Sequence, residues 1–304
     1  MARSLSHKQQ RLKQELDKIR TKFGRHNISP DPVEVVHEYT DRADREVVGL
    51  IAAVLAYGSV FQILKSIRRI VKPLGRHPAE MIAGLSDADA IELCRGFQYR
   101  FNTEVDAARL LRATGDIFRK YGSLEACFQE HDQPESSHIG PGLLGLVSAF
   151  KERAYPALEK HARRHQLRTR YDYFFPSPDS GSACKRLNLF LRWMVRPEDG
   201  VDFGLWKVDP GRLVIPLDTH VSRIARQIGL SRRRQADWKM ACEITDGLRK
   251  FCPEDPLRYD FALAHLGIRG ECAKCADAPE ESDCGLGEFC VGPIIRRGNR
   301  AEAP

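Results

Sequence analysis

"VIPLDTHVSRIARQIGL", Val214 to Leu230, joins an apolar approach to an amphipathic helix, with Asp218 at the junction. Val221, Ile224, Ala225 and Ile228 recur at the spacing of one helix face, while Arg223 and Arg226 project elsewhere. A carboxylate at this point has two readings. As an N-cap it accepts backbone N–H bonds and complements the helix dipole. As a functional group it sits at the end of a water-poor approach, kept ionised by the positive helix terminus, where it stabilises a developing cation or activates a water.

Outward from this stretch the chain reads as helical. "VVGLIAAVLAY" (47–57) is almost wholly apolar and is expected to be a buried central helix. "VFQILKSIRRIVKPLG" places Ile63, Ile67 and Ile70 at helical spacing. "EVDAARLLRATGDIFRKYG", a segment from about Leu143 to His165, "SACKRLNLFLRWMVR", "ADWKMACEITDGLRKF" and "DPLRYDFALAHLGIRG" continue the pattern. Strand-like alternation is scarce. An all-α fold of two lobes separated by a cleft follows. The expected organisation is an N-terminal helical extension (1–44) and a helical lobe (45–170) with a linker near 129–142. The segment 171–270 carries the Asp218 helix, and residues 271–304 hold a cysteine loop and a basic tail.

The 304 residues carry a formal charge of +7, compatible with a polyanionic partner without requiring one. No apolar run reaches the roughly 18 residues of a membrane span. The charged start, "MARSLSHKQQRLKQELDKIRTKF", lacks the apolar core of a signal peptide, so a cytoplasmic location is expected. Of nine cysteines, Cys272, Cys275, Cys284 and Cys290 form a C-x2-C-x8-C-x5-C cluster. In a reducing compartment, four thiols this close point to a tetrahedral metal ion or an iron–sulfur cluster, structural because all four ligands are thiolates.

"PLDTHVSRIARQIGL" resembles the "VDTH" segment of the helix-hairpin-helix DNA glycosylases, the endonuclease III-like superfamily. "REVVGLIAAVLAYGSVFQILKSIRRI" resembles that family's first core helices, and residues 236–271 resemble the helices after its catalytic aspartate. A four-cysteine loop follows, as in endonuclease III. In order and length the chain looks most like a bacterial branch described as protein of unknown function. The resemblance spans roughly residues 45–128 and 170–290. It implies a two-lobed helix-hairpin-helix glycosylase-like fold with a C-terminal four-cysteine metal loop, a catalytic role for Asp218 and a [4Fe–4S] cluster. The first cysteine gap is narrower than in endonuclease III, which keeps Zn²⁺ open as the alternative. The family's glycine-rich hairpin, "LPGVGxKTA", is absent, and "FPSPDSGSACKRLNLFLRWMV" stands in its place.

Bifunctional members of the superfamily carry a nucleophilic lysine at the start of the second hairpin helix. Lys185, 33 residues before Asp218, matches it best. Leu187, Phe190, Leu191, Met194 and Val195 form one apolar face, with Lys185, Arg192 and Arg196 opposite. A first-turn lysine opposes the helix dipole, which favours the neutral, nucleophilic amine. The alternatives are a solvated basic face and a phosphate-binding stripe that uses Arg192 and Arg196. "RGFQYRFN" (95–102) interleaves Arg95 and Arg100 with aromatic residues, which suits either a stacked base with a phosphate held by Arg100 or a helix end packed into the core. Gly58 falls where some family members place a DNA-wedging side chain, so a wedge comes from elsewhere. The expected function is a DNA repair glycosylase acting on duplex DNA with a damaged base, with abasic-site lyase activity if Lys185 is the nucleophile. The alternative is a nucleic-acid-binding protein with a glycosylase-like fold and no catalysis.

Overall fold

Helices dominate the computed structural model, which describes residues 4–158, 170–277 and 284–291. In chain order they are α1 (His7–Lys22), α2 (Val33–Val36), α3 (Arg42–Val54), α4 (Val60–Val71), α5 (Pro78–Gly84), α6 (Asp87–Cys94), α7 (Glu104–Tyr121), α8 (Leu124–His131) and α9 (Gly140–Leu158). They continue as α10 (Lys185–Val195), α11 (Thr219–Gln227), α12 (Trp238–Arg249), α13 (Asp260–Ile268) and α14 (Glu271–Asp277). The described strands are β1 (Gln98–Tyr99) and β2 (Asn102–Thr103), a two-residue antiparallel pair. No described helix is long and apolar enough to cross a membrane.

Two central helices organise the core. Asp41 caps α3 by accepting from the N–H groups of Ala43 and Asp44. Every residue from Glu46 to Val54 is buried. The helix crosses α10 closely at Gly49, where an added Cβ would lie 2.9 Å from the Met194 methyl. The sequence places this helix at 47–57. It ends earlier, at Val54, and the chain turns at Gly58, whose φ is +107°. Around this pair, α5, α6, α7, α8 and α9 pack against one another, while α11, α13 and α14 pack together with α1 against α13.

The connection between α8 and α9 is shorter than the sequence suggests, and one arginine organises it. Arg212 forms two bonds to the Asp132 carboxylate and donates to the carbonyls of Gln133 and Ser136. From Gly140 the chain is helical to Leu158, and the remainder of the expected helix to His165 lies outside the described residues, as does the basic tail.

Glu46 is fully buried on α3, accepting from the Leu124 N–H at 2.7 Å and the Trp206 indole N–H at 2.9 Å. Burial pushes its carboxyl up to about 7, against those two hydrogen bonds. A carboxyl raised on folding binds its proton more tightly in the native state. Its stabilising contribution is therefore present below the unfolded value and is lost as pH rises through 7. Glu46→Gln should flatten the pH dependence of stability to urea between pH 4 and 7, removing a change of about 3 kcal/mol across that range, at the cost of one of the two accepted bonds. An unchanged pH profile would show that Glu46 is ionised throughout.

Candidate active site

Asp218 sits where the apolar approach ends. Val214, Ile215 and Leu217 are buried, and Ile215 is pinned by its N–H to the Thr245 hydroxyl at 3.0 Å. Asp218 is half-buried. Its Oδ1 accepts from the Val221 N–H at 2.7 Å, so the carboxylate does cap α11. Oδ2 has no hydrogen-bond partner among the described residues. The cap thus occupies one oxygen and leaves the other available. Gly267 admits the His220 side chain, because a Cβ there would lie 2.4 Å from that of His220, and this seats α11 on α13.

The N-terminus of α13 carries a second carboxylate, Asp260, which is buried and paired with Arg192. Burial pushes its carboxyl up to about 6; the Arg192 charge opposes the shift and the Asp218 charge adds to it. Asp218 therefore acts electrostatically on a buried network behind it. Arg192 also pairs with Asp202 at 3.2 Å, and Arg196 pairs with Asp202, Asp199 and Asp255, holding Asp255 in two bonds of 2.8 Å.

These contacts correct the expected phosphate stripe. The side chains of Arg192 and Arg196 are 4% and 3% exposed, and carboxylates bind both guanidinium groups. Helix α10 is buried on nearly every side, so the face opposite its apolar stripe points at Asp202 and Asp260 rather than at solvent. Neither arginine is placed to hold DNA.

Lys185 opens α10 and is half-buried. Cys184, just before it, has φ +49°, and the helix start has no side-chain cap. Its charge reaches Asp31, whose carboxyl burial pushes up, while the Val33 N–H and the charges of Arg192 and Lys185 oppose that shift. The Lys185 charge thus acts on Asp31 and the Asp218 charge on Asp260, and the Arg192 charge acts on both carboxyls.

The next residue is one that the sequence did not single out. Arg186 is buried, with its guanidinium 4.2 Å from the Tyr173 ring centroid and 5.0 Å from that of Tyr57. It donates to the carbonyls of Val54 and Tyr173. No carboxylate of the described residues pairs with it, and burial pushes its pKa down. The aromatic faces supply the compensation. A signal existed: Arg186 is four residues before Phe190 and shares its helix face.

Over this arginine lies the tip of the β1–β2 hairpin. Its two-residue loop is Arg100–Phe101, with Arg100 at φ +53°, a position that glycine occupies at far lower cost. Arg100 and Cys184 are the non-glycine residues with positive φ among the described residues, and they flank the same cluster. Phe101 and Tyr173 meet edge to face at 4.4 Å and are 43% and 39% exposed. Arg100 packs across Gly58, where a Cβ would lie 3.2 Å from the arginine Nε and 2.8 Å from the Tyr99 hydroxyl. The structure therefore puts Arg100 on an exposed aromatic surface next to the start of α10.

The four clustered cysteines line one small pocket with Ile224, Gln227 and Leu286. Cys272 and Cys284 are buried and hydrogen-bonded to each other. That bond holds the Cys272 thiol below its ordinary value, and burial with the same bond raises Cys284. Cys290 is pushed up to about 11 by burial and by its neighbours' charges. Among the described residues, no three of these side chains stand in a metal-holding arrangement. Two buried donors on α11, Gln227 Nε2 and Arg223 Nε, have no acceptor; Gln227 lines the pocket, and the Arg223 charge acts on Cys272.

A family model described as protein of unknown function (DUF2400) matches residues 31–269, more than three quarters of the chain. The chain belongs to the DUF2400 family. Lys185, Asp218, Asp260 and the hairpin tip lie inside the matched span, and the four cysteines lie beyond it. No curated protein and no solved structure matches the chain.

Proposed function

We propose that this member of the DUF2400 family is a DNA N-glycosylase that excises a damaged base, with Lys185 supplying an abasic-site lyase step. The observation that carries the reading is the half-free carboxylate of Asp218 at the end of a buried apolar approach. In this reading an unstacked nucleotide lies against the aromatic surface of Phe101 and Tyr173, with Arg100 on its phosphate. Asp218 Oδ2 faces the sugar. As the glycosidic bond breaks, its electron pair leaves with the base, and the carboxylate stabilises the cationic character at C1′. The amine of Lys185 then bonds to C1′, giving an imine after loss of its protons and opening of the sugar ring, from which elimination cleaves the strand.

Phosphate grip in this scheme does not come from a glycine-rich hairpin turn. In the 177–184 stretch the N–H groups of Asp179, Ser180, Gly181 and Cys184 are bonded within the turn itself. The uncapped first turn of α10 supplies free N–H groups instead.

The cysteine pocket fits a metal centre by its donor set. Four thiols line one pocket with Gln227, whose buried Nε2 lacks an acceptor, a donor set suited to a negatively charged group once the thiols draw together. Cys272, Cys275, Cys284 and Cys290 would hold a [4Fe–4S] cluster, or zinc as the alternative. The group would brace α11 and α14 and would take no part in the chemistry at the sugar. Anaerobically purified protein is expected to contain iron and sulfide, with broad absorbance near roughly 400 nm. Stoichiometric zinc would keep the site and change the metal, and neither metal would remove it.

Borohydride trapping tests the reaction. Incubation with duplex DNA carrying an abasic site should give a covalent adduct that Lys185→Ala abolishes. Trapping that persists in the variant would assign the nucleophile to another amine.

A further inference from the structure

A second surface lies away from the aromatic cluster, between the start of α1, the turn after α11 and one face of α12. It is a groove of about 1000 Å³. Lys8, Arg232, Lys239 and Lys250 line it, brought together from three separate parts of the chain. All four are exposed, and none forms an ion pair with a described residue. The groove also contains two carboxylates, and both are engaged. Glu243 accepts from the Ser231 hydroxyl at 2.8 Å, and Asp246 pairs with Arg249. Four free cations therefore outnumber two acids, of which only Asp246 is paired with a cation, and the balance along the groove is positive.

The cations are spaced in register. Lys239 and Lys250 are three helical turns apart on one face of α12, roughly 16 Å. That distance spans two to three phosphates of an extended single strand, and such a strand is flexible enough to follow a helix face. At one end, half-buried Trp238 stands edge-on to His138 with ring centroids 5.7 Å apart at 90°. The floor, with Leu12, Ile228 and Phe251, is apolar and buried. Cations at phosphate spacing beside an indole are the parts that bind single-stranded nucleic acid without reading its sequence. A lysine stripe alone is usually a solvated face. Here the free cations, which outnumber the acids, and the indole converge on one concavity.

We infer that this groove binds a single-stranded nucleic acid, with phosphates on Lys239 and Lys250 and a base against Trp238. The inference does not rest on the glycosylase reading, because it uses none of that site's residues.

Intrinsic tryptophan fluorescence reports it. Trp193 and Trp206 are buried at 0% and 4% exposure, so added strand reaches Trp238 alone. An oligothymidylate of roughly twelve nucleotides, within ordinary single-strand site sizes, should quench the emission, with an affinity that falls steeply as salt rises. Lys239→Glu with Lys250→Glu should weaken binding by at least about tenfold at low salt, with an unchanged melting temperature. Trp238→Phe should keep binding, followed by anisotropy of a labelled strand, and lose the quench. Binding that ignores both charge reversals, equal competition by duplex, preference for an acidic peptide over the strand, or no binding at all would overturn the assignment. Base release by the double-lysine variant and quenching in Asp218→Asn are measured alongside, so that failure of either function is read separately.

Discussion

Arg192→Ala is expected to destabilise the protein by about 3–5 kcal/mol, because it leaves buried Asp260 without its guanidinium and removes one of the two that hold Asp202, which keeps Arg196. Asp202 and Asp260 are both fully enclosed, and burial already pushes each carboxyl up against the pull of Arg192. Without the arginine both rise further. An acid raised on folding contributes stability below its unfolded value and loses it as pH increases. The deficit should therefore be smaller near pH 5 than at pH 8. Urea unfolding at the two pH values measures it. A loss below about 1 kcal/mol at pH 8 would mean that water, rather than Arg192, satisfies the acids. Arg192→Lys should recover only part of the loss, since one ammonium cannot bridge Asp202 and Asp260 as the planar guanidinium does.

Asp218→Asn carries the other large effect, and it falls on activity. Asparagine is a good N-cap, so the bond to the Val221 N–H is kept and stability should change by at most about 1 kcal/mol. Removing the charge should lower base excision by orders of magnitude while binding to duplex DNA is retained, because stabilisation of the cationic sugar is lost and the fold is not. Asp218→Ala should add a stability loss of about 1 kcal/mol through the missing cap. The two variants together separate the capping role of Asp218 from the catalytic role proposed for it.

What could be read from the sequence was local. The cap at Asp218, the buried approach and the amphipathic face of α11 follow from residues within a few positions of one another, and helical periodicity carries them. The error over Arg192 and Arg196 has the opposite origin. Their partners lie as far as 68 residues away along the chain, and a charged stripe on a helix reads as solvent-facing until the whole helix is known to be buried. The place of Arg186 on the Phe190 face of its helix is legible in the sequence, but its compensation by two tyrosine rings is not, because Tyr57 and Tyr173 come from different parts of the chain. Asp260 did leave a trace. It opens a helix, as Asp218 does, in "DPLRYDFALAHL". Arg100 could be picked out as an arginine among aromatics, but its left-handed backbone and its place over Gly58 depend on a hairpin too short for alternation to reveal.

The most direct test of the central claim is base release. Full-length protein is incubated with duplexes that each carry one damaged base, and free base and strand cleavage are quantified with and without alkaline treatment. The account predicts release from at least one lesion, lost in Asp218→Asn although that variant still binds the same duplex. Release that is undiminished in Asp218→Asn, or no release from any lesion by folded, metal-loaded protein, would contradict it.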